Sequence, residues 1–453
     1  MYKELISKQK IFFNLGKTLS YDTRIKYLKK LKEEIVNNEA EIEDALYKDL
    51  GKSSGESYMT EIGPVLKELN FQIKHLKKFM KPKKVGSPLA LFPAKSYIYP
   101  EPLGTVLIIS PWNYPFLLLL DPLIGAIAAG NTVIAKPSEF STATTKITQK
   151  ILQNVFEDEY VTVVEGEVYE TTKLLEERFD YIFFTGSTNV GKIIMNAASK
   201  HLTPVTLELG GKSPAVIFND ADIKLAAKRI AFGKLINAGQ TCIAPDYILI
   251  DKTKKEEFIT YYKMYIEEFY TDTPLENDLY PKIISKKHFD RLISLYKDED
   301  ILFGGKYNDV KIEPTLLDIK DVNVKIMQEE IFGPILPILT FEKVNEVFEY
   351  LSKEEKPLAF YAFTRNKEIK KRILTTTSSG GLIFNDTLMH FANNNLPFGG
   401  VGYSGMGKYH GIDTFKTFSH YKAVVDRKTW LDINIRYQPI TEKKKRIIKK
   451  INK

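Results

Sequence analysis

Between Thr105 and Ala198, short apolar runs alternate with glycine- or proline-marked turns and helix-length stretches. That alternation constrains the fold more than any other feature, because parallel strands need a crossover helix and are buried on both faces. The predicted strands are Thr105–Ile109, Thr132–Ala135, Val161–Val164 and Tyr181–Phe184. Helices follow the first to Ala129, the second over Thr142–Val155, and the last through Ala198. A second α/β region spans about 209–396, with strand candidates Ala215–Phe218, Tyr247–Ile250, Ile335–Thr340 and Leu382–Phe384. Residues 1 to about 81 read as helices: Ser20 to Thr23 offers an N-cap before Ile25, Leu28, Leu31 and Ile35, and Glu61–Phe79 repeats the spacing. From Lys81 to Pro102 five prolines exclude a helix, and Lys95–Tyr99 reads as an outlying strand.

At 453 residues the chain needs more than one core, and 43% apolar with 27% charged residues is ordinary for a globular enzyme. Its net charge of +8 is unevenly placed. Residues 441–453 carry seven Lys/Arg against Glu442, which leaves +2 on the other 440 residues. A near-neutral body argues against nucleic acid as partner, since that needs a basic face. A lone cysteine cannot form an internal disulfide, and the Lys/Glu-rich start lacks an apolar signal core, so the cytoplasm is the expected location. The longest apolar run, Pro115–Ala129, is too short for a bilayer and contains Asp121 and Pro122. The six histidines are scattered, so no metal-ligand spacing exists.

That one cysteine, Cys242, ends Gly239-Gln240-Thr241-Cys242. Upstream, Thr206-Leu207-Glu208-Leu209 alternates like a strand and breaks at Gly210-Gly211, where missing side chains let another group approach. A thiol nucleophile and a carboxylate able to activate water are the parts needed for covalent catalysis followed by hydrolysis. Asn113, after a strand in Pro-Trp-Asn-Tyr-Pro, has an amide that can donate to an oxyanion together with the Cys242 N–H. A strand, the turn Thr185-Gly186-Ser187 through Gly191, and a helix offer backbone N–H groups to a pyrophosphate, although the glycine spacing is looser than G-x-G-x-x-G.

These stretches together resemble the aldehyde dehydrogenase superfamily, and Ile243-Ala244-Pro245-Asp246-Tyr247 resembles its class 3 branch, which takes fatty and aromatic aldehydes. The resemblance runs over about residues 10–425. It implies a Rossmann-like cofactor domain (1–81 and 104–208), an α/β catalytic domain (209–414), a bridging segment (82–103 and 415–440) and a basic tail (441–453). The bridge would add strands to a partner in a homodimer. The implied reaction is oxidation of an aldehyde to an acid through a thiohemiacetal and a thioester on Cys242. Glu208 would be the base, with Glu330 of Glu329-Glu330-Ile331-Phe332-Gly333-Pro334 as alternate. The resemblance also puts Lys136 and Glu139 on the adenosine ribose, Gly186, Ser187 and Gly191 at the pyrophosphate, and Glu330 and Phe332 at the nicotinamide end. Lys136 would welcome a 2′-phosphate and Glu139 would repel one, so NAD is expected first, with NADP also admitted. Tyr114, Phe398 and His410 are the candidates for the substrate lining.

Three rivals are weighed. A CoA-acylating enzyme would dispense with Glu208, and a catalytically silent scaffold would have lost Cys242 or Asn113. A nucleic-acid binder would rest on the tail alone. The tail itself has two readings: a disordered, solvated basic end, or a helix with Ile447, Ile448 and Ile451 on one side that makes weak peripheral contact with anionic lipid.

Overall fold

The computed structural model describes residues 2–451. Three sheets organise them. The first runs in the order Gly405–Met406, Val205–Glu208, Tyr181–Thr185, Thr105–Ile109, Thr132–Lys136, Val161–Val163, and all neighbours are parallel except the short antiparallel edge at Gly405–Met406. Thr105–Ile109 and Thr132–Lys136 are buried at every residue, as parallel strands covered on both faces must be. The chain moves from Thr105–Ile109 to one side through Thr132 and Val161, then returns to the other side at Tyr181. The order therefore reverses between Thr105–Ile109 and Tyr181–Thr185, and the crevice at their carboxyl ends is where such sheets take ligands.

The second sheet runs Asp300–Phe303, Thr315–Asp318, Ile335–Phe341, Tyr247–Asp251, Pro214–Ile217, Ala359–Phe363, Gly381–Phe384, with only the first strand antiparallel. Three of these, at 300–303, 315–318 and 359–363, were not among the sequence candidates. The third sheet is separate. Lys83–Val85, Ala94–Pro102 and Ser419–Arg427 pair antiparallel, and the last two match at all nine positions, from Ser419 against Pro102 to Arg427 against Ala94. The proline-bounded excursion thus meets a segment more than three hundred residues away, and Ser419–Arg427 forms a long, largely exposed outer edge.

Leu117–Ala129 is buried at every position and is capped by Gly130 in a left-handed conformation, which makes it the central helix between the N-terminal helices and the first sheet. The expected helix from Glu61 begins differently: Tyr58–Ile62 forms a wide π-type turn and the α-helix proper is Gly63–Phe79. The tail is not a disordered end. Glu442–Ile451 is helical, with Ile447 exposed and Ile448 half-exposed among lysines, while Lys453 lies outside the described residues.

Candidate active site

The strand Val205–Glu208 and the turn before Tyr247–Asp251 bring the two reactive groups together. Cys242, Glu208, Tyr114, Phe398 and His410 all line one cavity of ≈ 410 Å³, with mostly apolar company such as Leu118, Phe232 and Met389. The three substrate-lining candidates are therefore found with the thiol. Tyr114 is fixed there by a 2.6 Å hydrogen bond between its hydroxyl and that of Thr241. Phe398 is itself buried and held edge-on to two other lining residues, Phe391 at 5.1 Å and Tyr409 at 5.7 Å.

Glu208 is 3% exposed, and neither carboxyl oxygen is bonded to another protein group. Burial alone drives its pKa well above the ordinary carboxylate range, so the carboxyl is neutral until water or substrate reaches it. Its backbone carbonyl accepts from the Gly186 N–H at 3.0 Å, which ties the predicted pyrophosphate turn to the strand end that carries the predicted base.

Burial pushes the Cys242 thiol up to about 12, with Glu330 and then Glu208 adding to the effect, while the N–H groups of Cys242 and Ile243 face the sulfur and oppose it. The thiol is therefore protonated at neutral pH and must hand its proton to a base. Asn113 is 2% exposed and lies under the turn: one amide N–H donates to the Gln240 carbonyl at 2.9 Å, leaving the second free for an oxyanion. Asn113 is not itself among the lining residues, but the next residue, Tyr114, is.

Glu330 does not line the cavity. Burial and, after it, Asp246 raise it to about 8, against the Gly211 N–H, Lys212 and Arg291. Its loop is held by a network that motif reading did not single out. Lys212 donates to Asp246 Oδ2 at 2.5 Å and to the carbonyls of Ile326 and Glu329, both at 2.9 Å. The other Asp246 oxygen accepts from the Ile331 N–H at 2.9 Å, and Arg291 donates to the Ile331 carbonyl at 2.5 Å. Phe332 then takes a left-handed backbone (φ 54°) and meets Trp112 edge-on at 5.4 Å; Trp112 in turn lies 4.9 Å from His288. Trp112 stood inside the quoted Pro-Trp-Asn-Tyr-Pro stretch, but nothing local marked His288.

The residues expected to hold a dinucleotide fit one. Lys136, at the end of its strand, is 2% exposed, and its ammonium donates to the carbonyls of Pro137 (2.8 Å) and Gly166 (2.7 Å). A third N–H remains for a ribose hydroxyl. Glu139 lies close by on the exposed side. Ser187 caps the helix Thr188–Ser199, and Gly191 packs so tightly that a β-carbon there would stand 2.7 Å from Leu209. The helix start and the aromatic floor of Trp112 and Phe332 both lie at the crevice where the strand order reverses. Among the described residues no cluster could hold a metal ion.

Residues 4–424 match the aldehyde dehydrogenase family. The chain belongs to that family. It is 48% identical over 442 residues to the 4,4'-diaponeurosporen-aldehyde dehydrogenase of Staphylococcus aureus, covering 97% of this chain and 96% of that protein. It is 45% identical over 452 residues to aldehyde dehydrogenase family 3 member H1 of Arabidopsis thaliana, covering 98% and 93%. A substrate-bound structure of Staphylococcus aureus AldH superposes with a TM-score of 0.98 at 46% identity, over 100% of both chains. An NAD-dependent aldehyde dehydrogenase from Sinorhizobium meliloti superposes at 0.85 with 25% identity, over 95% and 88%. The protein is thus an aldehyde dehydrogenase of the class 3 branch that oxidises aldehydes with NAD.

Proposed function

We propose that Cys242 is the nucleophile and Glu208 the base that activates the hydrolytic water. One observation carries this reading: thiol and carboxyl share an apolar cavity in which the Glu208 oxygens have no protein partner. The thiol proton passes to water entering the cavity, and the sulfur attacks the carbonyl carbon. The resulting oxyanion rests on the Cys242 N–H and the free Asn113 amide N–H. NAD, when bound, supplies the hydride acceptor, held by Lys136, Glu139, Gly186, Ser187, Gly191, Glu330 and Phe332. Transfer of hydride from the thiohemiacetal carbon to that acceptor would leave a thioester on the sulfur. Water deprotonated by Glu208, with Glu330 as alternate, attacks that thioester, releases the acid and regenerates the thiol.

The apolar cavity favours aliphatic or aromatic aldehydes of medium to long chain. Glu139 favours NAD over NADP. In this reading the first sheet and the N-terminal helices are the cofactor domain and the second sheet is the catalytic domain. The exposed nine-residue edge Ser419–Arg427 joins a second copy in a homodimer. The enzyme is cytoplasmic, and the basic helix makes weak peripheral contact with anionic membranes; among the described residues no helix is long and apolar enough to cross one. Cys242→Ala tests the core of this reading. It should abolish oxidation of every aldehyde in a panel while leaving NAD binding intact, and substantial turnover would overturn it.

A further inference from the structure

The three residues before the nucleophile's own turn have a costly backbone. Asn237 (φ 52°, ψ 32°) and Ala238 (φ 51°, ψ 34°) are both left-handed, and Gly239 follows at φ 74°. Only the glycine takes this conformation freely. At Gly239 a β-carbon would also stand 2.2 Å from the Gly333 carbonyl oxygen. Two consecutive non-glycine residues persist in this region only where surrounding contacts over-determine them.

Those contacts come from a segment that no step above uses. The Asn237 N–H donates to Glu56 Oε1 at 2.6 Å, a reach across 181 positions. Lys52 and Glu61, both fully buried, form a 2.5 Å ion pair beside it. Lys52 also donates to the Asn113 carbonyl at 3.2 Å and stands 4.0 Å from the Tyr114 ring centre. Glu61 accepts from the N–H groups of Phe116 (2.9 Å) and Leu117 (3.2 Å). The two halves are then stitched together. Asn237 Nδ2 donates to the Asn113 carbonyl at 2.7 Å, and the Gln240 carbonyl accepts from both Asn237 Nδ2 (3.1 Å) and Asn113 Nδ2 (2.9 Å).

We propose that Glu56 is a positioning residue: with Lys52 and Glu61 it holds the left-handed turn before Cys242 in register with Asn113, so that sulfur and oxyanion donor face one carbonyl. The clamp is built from side chains of residues 52–61, and Tyr58 and Met59 of the same segment line the cavity. Substrate wall and reacting pair are therefore aligned by one stretch of chain. A reacting geometry misplaced by about 1 Å costs on the order of 10²-fold in rate, so releasing the turn acts on kcat rather than on cofactor binding.

The inference rests on Cys242 and Asn113 being the reacting pair. Two readouts serve the test: steady-state kcat with KM for NAD, and the rate at which iodoacetamide alkylates the chain's one thiol. Glu56→Ala is expected to lower kcat by at least about tenfold, shift the alkylation rate and leave KM for NAD within about twofold. Glu56→Gln keeps an acceptor at the same reach and should stay within about threefold of the parent, whereas Glu56→Asp keeps the charge but withdraws the acceptor and should fail like alanine. If the alanine variant does not fold, the glutamine and aspartate variants decide alone. A wild-type aspartate variant with an impaired glutamine variant, or parent-like rates in all three, overturns the clamp. A fully active Cys242→Ala would instead sink the assignment of the nucleophile, so the two failures are distinct.

Discussion

Gly210 and Glu330 share one space: a β-carbon at 210 would stand 2.1 Å from Glu330 Oε2. The paired glycines after the predicted base strand thus make room for the second carboxylate. Gly210→Ala should displace Glu330 and destabilise the fold by about 1–3 kcal/mol, the range for overpacking. Glu330→Ala should remove most of that penalty when combined with it. Denaturant midpoints of the two single variants and the double variant measure this coupling, and simple additivity would contradict the contact.

Glu208→Gln separates acylation from hydrolysis. A burst of NADH near one equivalent per site should be followed by turnover slowed by at least about tenfold, because the thioester forms before water is needed. Stopped-flow absorbance reads both phases. Loss of the burst itself would mean that Glu208 also takes the thiol proton.

The pH behaviour of Glu330 has a definite sign. Its pKa in the fold is raised to about 8, from an ordinary value of 4.5, chiefly by burial. Such a group favours the folded state fully below about pH 4.5, and the benefit is lost as pH rises through about 8. Glu330→Gln removes the ionisation, so its melting temperature relative to the parent should climb between pH 5 and pH 9. A gap that stays constant with pH would show that the carboxyl is not held neutral.

The C-terminal helix sets Ile447 and Ile448 among Lys443–Lys445, Arg446, Lys449 and Lys450. Vesicles rich in anionic lipid should sediment the full chain at low salt and release it at high salt, while neutral vesicles should not bind it. Removing residues 441–453 should abolish the binding without changing aldehyde oxidation. Equal behaviour of the two chains would leave the helix as a solvated end.

Much of this molecule was legible in its residues. Buried parallel strands must be apolar on both faces, so runs such as Thr105–Ile109 and Thr132–Ala135 announced the first sheet. Cys242, Glu208 and Asn113 stood out as candidates because one is the chain's single cysteine, one a carboxylate just before a paired-glycine break and one an amide between two prolines. The strand at 315–318 escaped because only Leu316 and Leu317 of it are apolar, and Ala359–Phe363 because five apolar residues look the same in a helix, a strand or a packed loop.

What tertiary structure alone decided is how those groups are aimed. No local pattern couples Glu56 to Asn237, or Lys212 to the carbonyls of Ile326 and Glu329 more than a hundred positions away. Periodicity records which faces avoid water, a property each segment carries by itself. Buried polar pairing instead depends on which amide or carbonyl another segment leaves unsatisfied, and that is settled only when the segments meet. The same holds for Lys136, whose ammonium is held inside by its own neighbour's carbonyl, Pro137, and by that of Gly166 thirty positions away.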